Sequence, residues 1–176
     1  MGERISPYRR AAENGVPFGI YMTAMSVASI FTDRMPLLAL VVLVMMLCTP
    51  FVIYRFQRRY FIDENGFTEF AALWMMGIMT FIFGALITGL ATYITIRWGR
   101  PDYIYDQANQ IITTYDQVPE LKNSEMITVL KRMVDEGLLP QPIEIVLNMF
   151  WVVTFFGSLL SALTALVAQR RITTNP

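Results

Sequence analysis

The sequence predicts an all-α integral membrane protein: a four-helix bundle carrying two short amphipathic helices in the extracytoplasmic loop between its third and fourth spans. Three observations predict it. Four apolar stretches, 16–31, 35–54, 70–96 and 145–168, contain no Asp, Glu, Lys or Arg. The connection between the last two is the longest and the most acidic in the chain. The composition, 55% hydrophobic and 16% charged with mean hydropathy +0.45, leaves too little polar surface for a soluble monomer of 176 residues. A single membrane domain over 1–176 is the expectation.

A bilayer core about 30 Å thick takes roughly 20 helical residues at about 1.5 Å each, so the second, third and fourth stretches are long enough to cross it and the first is marginal. Pro17 and Gly19 predict that 11–15 lie along the membrane surface before the chain turns into the first span. Pro36 suits the first turn of the second helix, where no amide bond is lost, and Pro50 should kink or loosen its last turns. The following run "YRFQRRYFIDENGF" (54–67) reads as an interfacial loop with a tight turn at "ENG".

Bases set the orientation. Arg4, Arg9 and Arg10 precede the first span, Arg55, Arg58 and Arg59 follow the second, and Arg170 and Arg171 follow the fourth. Between Arg97 and Glu144, five bases are spread among eight acids. The positive-inside rule then puts both termini in the cytoplasm and the third connection outside, with Arg97 and Arg100 snorkelling to outer headgroups. A second reading of the N-terminus is a signal peptide, with Ser26 and Ala28 at a peptidase spacing.

In the third span Gly77, Thr80, Gly84 and Thr88 recur at spacings of three, four and seven, and so share one side of a helix. Small residues let helices approach closely where lipid gives no hydrophobic drive, so this strip predicts a packing seam. Gly157, Ser158 and Ser161 repeat the device in the fourth span, and the two strips are expected to pack together. Asn148, the most polar side chain in any span and one turn from the outer boundary, is read as hydrogen-bonding glue or as exposed at the interface rather than as a ligand group. Glu69 and Glu144 stand at the mouths of the third and fourth spans, where an acid complements the helix dipole or makes an interfacial contact.

The external segment 97–142 holds two helical patterns divided by "QVPELKN" (117–123). Ile104, Ala108, Ile111, Ile112 and Tyr115 share one face of the first, which Pro101 or Asp102 opens. Met126, Ile127, Leu130, Met133 and Val134 share one face of the second, with Asn123 or Ser124 as N-cap and Gly137 as stop. One apolar face on each makes no core alone, so the pair should cap the bundle or cover a partner.

Several chemistries are excluded or disfavoured. The chain has no histidine, which removes imidazole catalysis and histidine-ligated metals, and its single Cys48 rules out an internal disulfide. No acid or base lies deep in a span, unlike ion-coupled transporters and intramembrane enzymes. Asp102 and Asp106, four apart, could hold a cation or act as acid and base, but a solvated helix face accounts for them more simply. No catalytic, cofactor or metal residues are assigned, and nucleic acid is not an expected partner.

The stretch "GFTEFAALWMMGIMTFIFGALITGLATYITIRWGRPDYIYDQ" resembles a family of small four-span inner-membrane proteins of Bacteroidota, known only as a domain of unknown function. The resemblance rests on a long glycine-containing third span running into "RWGRPDYIYDQ", with Pro101-Asp102 where Asp-Pro is expected, and on the basic "AQRR" end. It implies no activity and no catalytic residues. Relatives look like neighbours of polyprenyl-phosphate glycosyltransferases, which implies an accessory role in envelope glycan or lipid-linked sugar assembly.

The expected function is a non-enzymatic bacterial inner-membrane protein, an accessory or scaffolding subunit that meets lipid and either a membrane-protein partner or a second copy of itself. The alternative is a lipid or small-molecule carrier with a path along the third and fourth spans, past Thr80, Thr88, Asn148, Ser158 and Ser161.

Overall fold

The computed structural model describes residues 6–64, 66–117 and 124–169, all helix, turn or irregular chain with no strand among them. Arg4, Arg170, Arg171 and Asn123, with most of the 117–123 divider, lie outside the described residues. Among the described residues six α-helices follow one another: α1 (Pro7–Ile30), α2 (Leu37–Asp63), α3 (Phe70–Ile94), α4 (Tyr103–Asp116), α5 (Glu125–Asp135) and α6 (Pro142–Ala168). α2, α3 with its continuation to Gly99, and α6 are long and apolar enough to cross a membrane. α1 is not among these three.

The first helix differs from expectation. It begins nine residues before the apolar stretch and runs through Pro17 without a surface-lying segment at 11–15. Ser6 explains the early start: its Oγ accepts a hydrogen bond from the Arg9 amide at 3.3 Å, and Pro7 follows with its φ already helical. The Arg9–Glu13 pair, four residues apart, adds to the first turns.

α2 likewise outruns its apolar stretch by nine residues, taking most of the arginine-rich run into the helix. Arg and Gln are good helix formers, so nothing in that run stops the helix before Asp63. The stop comes at Gly66, which adopts φ +73 and whose amide donates to the Phe61 carbonyl at 2.9 Å. α3 ends in a π-helical turn, Thr95–Gly99, closed by the Arg100 amide on the Thr95 carbonyl.

The chain divides into two compact units. The first comprises 1–92 and 148–176, the second 93–147. In the first unit α1 and α3 run parallel, since Gly15 meets Phe83, Gly19 meets Ile87 and Ser26 bonds Thr92 in ascending order. α2 runs antiparallel to α1, with Tyr21 donating to the Met45 carbonyl and Arg10 pairing with Asp63. The buried core comprises Phe18, Met22, Ile53 and Phe81 in one cluster and Tyr60, Phe61, Leu73, Met76 and Ala165 in another. The buried residues of α2 begin only at Ile53, and Leu40, Val44, Leu47 and Phe51 stand exposed along its apolar part.

In the second unit Ser124 caps α5 by accepting from the Ile127 amide. Gly137, at φ +68, ends it: the Leu138 amide reaches back to the Met133 carbonyl at 2.8 Å, as in a Schellman motif. Lys131 of α5 pairs with Asp116 of α4. Ala108 and Ile127 are the buried members of their helices.

Candidate functional site at the Gln57 junction

A buried polar arrangement in the first unit centres on Gln57, which is 0% exposed. It lies one turn from Ile53 and one from Tyr60 and Phe61, so these four form the inward face of α2. Its Nε2 donates to the Leu73 carbonyl of α3 at 3.2 Å and to the Ser161 carbonyl of α6 at 3.0 Å, with Ser161 Oγ also at 3.0 Å. Ser161 Oγ in turn donates to the Trp74 carbonyl at 3.0 Å. One amide thereby ties three helices. Its Oε1 is buried with no hydrogen-bond partner among the described residues.

Gly77 makes the junction possible. A β-carbon on Gly77 would overlap Ser161 Oγ and stand 2.7 Å from Gln57 Nε2, so the polar groups occupy the volume a side chain would need. One turn further along α3, the Phe81 ring fills the space beside Gly157, where a β-carbon would also overlap it. Trp74 Nε1 donates to the Ser158 carbonyl at 3.1 Å. Thr80, fully buried, returns its hydroxyl to the Met76 carbonyl of its own helix.

The strip on α3 therefore serves two partners. Gly77 faces α6, whereas Gly84 receives Phe18 of α1 and Thr88 donates to the Gly19 carbonyl of α1 at 3.3 Å. Asn148 is exposed and lies nine residues before Gly157, away from these contacts. Glu69 is exposed, and its carbonyl accepts the Ala72 and Leu73 amides that open α3. Glu144, also exposed, accepts from the Gln141 amide at 3.2 Å, the return half of a capping box at the start of α6.

An arginine-rich run read as an interfacial loop gives no sign of Gln57 or its ties. The signal was present in the spacing of Ile53, Gln57, Tyr60 and Phe61, which is helical and carries no charge.

Around the junction gather the ends of four helices. Arg10 near the start of α1 pairs with Asp63 at the end of α2. Arg58 Nη1 donates at 2.6 Å to the Ala168 carbonyl, one of the last four of α6 that have no intrahelical donor, and its guanidinium lies over the Phe61 ring. Gln169 Nε2 reaches the Thr68 carbonyl in the turn before α3.

In the second unit Arg100 is 5% exposed, bonded to Asp106 at 2.9 Å and lying over the Tyr103 ring. This corrects the expectation that Arg100 snorkels to headgroups. It also removes Asp106 from a free carboxylate pair with Asp102, because a carboxylate already held by a guanidinium is a poor cation ligand. Among the described residues no three His, Cys, Asp or Glu side chains gather as metal ligands.

A family profile described as "Protein of unknown function (DUF4199)" matches residues 13–170. No curated protein and no solved structure matches the chain.

Proposed function

Because the chain belongs to the DUF4199 family, whose function is unknown, its role has to be read from its own residues, and we propose a non-enzymatic accessory or scaffolding subunit embedded in the bacterial inner membrane. α1, α2, α3 and α6 are the four spans of its bundle, α4 and α5 form its extracytoplasmic part, and both termini are cytoplasmic.

The observation that supports this reading is where the interior polar groups go. The buried amide of Gln57 and the hydroxyls of Ser161, Thr88 and Ser26 each bond another helix, as does the indole of the exposed Trp74. Such groups hold an assembly together rather than meet a substrate. The gathering of Arg9, Arg10, Arg55, Arg58 and Arg59 at the end where α1 begins and α2 stops supports a cytoplasmic placement of that end. The carrier alternative fares less well, because the seam near Ser161 and Gly157 has no room even for a methyl group on Gly77 or Gly157.

The test is to replace 101–137 with a short polar linker and compare what co-purifies in mild detergent. Loss of a stoichiometric membrane protein on deletion supports the proposal, and enzymes of lipid-linked sugar assembly are the first to be scored. An unchanged set of companions contradicts it.

A further inference from the structure

One side of α2 changes character along its length. Leu40, Val44, Leu47 and Phe51 follow one another at intervals of three or four residues, all exposed, with Phe51 at 73%. The same side continues into a groove of about 590 Å³ lined by Phe51, Tyr54, Arg55, Arg58, Arg59, Ile62 and Asp63. An apolar rail thus runs directly into an arginine cluster.

The charges of the groove are unevenly committed. Arg58 is held by the Ala168 carbonyl and the Phe61 ring. Asp63, the groove's acid, is paired with Arg10 of α1, which also pairs with Glu13. Arg55 and Arg59 are exposed and make no hydrogen bond or ion pair with the described residues. Two uncommitted guanidiniums, one fixed guanidinium and a neutralised acid leave a groove that is positive and rich in N–H donors. A guanidinium fork matches phosphate oxygens better than any other side chain does.

We propose that this groove binds one anionic phospholipid, its phosphodiester between Arg55 and Arg59 and an acyl chain along Phe51, Leu47 and Val44. Tyr54 supplies the amphipathic ring that suits headgroup depth. Charge complementarity selects the anionic headgroup, and the continuity of rail and cluster selects a lipid over a free anion. Juxtamembrane arginines commonly attract anionic lipid without a specific site. Here the distinguishing features are the fixed Arg58, the neutralised Asp63 and the shared helix side.

The experiment uses the intact protein in nanodiscs of phosphatidylcholine doped with phosphatidylglycerol, with retained lipid counted by native mass spectrometry after release. Wild type should keep one phosphatidylglycerol, and R55Q/R59Q should lower its occupancy on the order of tenfold, as expected for losing two charge-assisted contacts. Arg9→Gln removes a base from the same end, outside the groove and linked to it only through Glu13 and Arg10, and should lower retention far less than the double variant does. Phe51→Ser should weaken retention by severalfold. All these side chains are exposed, and matching thermal melts would show that each variant is folded. Equal retention of phosphatidylcholine, full retention by R55Q/R59Q, an Arg9→Gln loss as large as the double variant's, or displacement of the lipid by inorganic phosphate would each overturn the proposal.

Discussion

Ser161 of α6 stands in the space that a β-carbon on Gly77 of α3 would fill, and from there its hydroxyl bonds the Trp74 carbonyl. Two helices can approach this closely only if one side has no side chain. Gly77→Ala should therefore destabilise the protein by about 1–3 kcal/mol, the usual cost of overpacking. Ser161→Gly removes the obstructing atoms, leaving mainly Gln57 Nε2, the movable end of a long side chain. The double variant should lose less than the sum of the singles, by about 1 kcal/mol or more. Reversible unfolding in mixed micelles measures this coupling, and strict additivity would show that the two residues do not compete for space.

Gln57 separates two contributions. Gln57→Ala removes the ties to α3 and α6 and leaves a cavity, for which we expect a loss of about 2–4 kcal/mol. Gln57→Leu loses the same ties but fills the volume and also removes the unpartnered Oε1. Its cost should stay below about 1.5 kcal/mol, in line with interhelical hydrogen bonds in membranes. Equal losses in the two variants would mean that the hydrogen bonds, not the packing, dominate the junction.

At the other end of α1, Ser26 Oγ and Thr92 Oγ1 are 2.8 Å apart and buried. Each of Ser26→Ala and Thr92→Val leaves one hydroxyl stranded, at a cost of about 1 kcal/mol. Together they leave neither, so the double variant should be no less stable than the worse single. The same unfolding assay decides it.

How much of this was legible beforehand depends on what carries the information. Apolar runs without charges located the membrane-length parts of α2, α3 and α6, because lipid solvation acts on residue type alone. They did not locate helix ends: α1 and α2 each extend nine residues beyond the apolar stretch, into charged sequence that hydropathy does not describe. Ser6-Pro7 and Asn65-Gly66 were the usable start and stop signals, in that order. The spacing of Gly77, Gly84 and Thr88 marks a close-packing side of α3. It could not show that Gly77 meets α6 while Gly84 and Thr88 meet α1, since partner choice is a property of the assembled helices. Gln57 escaped for a related reason: a lone uncharged polar residue among arginines looks solvated until the helix is known to continue through it.

In the second unit, the Arg100 side chain is 4% exposed and that of Asp106 is 49% exposed, so the arginine suffers more when the pair is broken. Asp106→Asn should destabilise α4 locally by about 1–3 kcal/mol, read as faster amide exchange over 103–116. Asp102→Asn should change little, because the Asp102 side chain makes no capping bond. Millimolar calcium should leave the exchange pattern of the wild type unaltered. Protection by calcium that needs both aspartates would restore the cation reading that the Arg100 pair argues against.

The most direct measurement of an accessory role is crosslinking and mass spectrometry of the intact protein purified in mild detergent from its native membrane. One membrane protein, or a second copy of this chain, should be recovered in stoichiometric amount with crosslinks to residues 103–135. A protein that stays alone at every crosslinker concentration, or one whose companions are unaffected by loss of α4 and α5, would contradict this role.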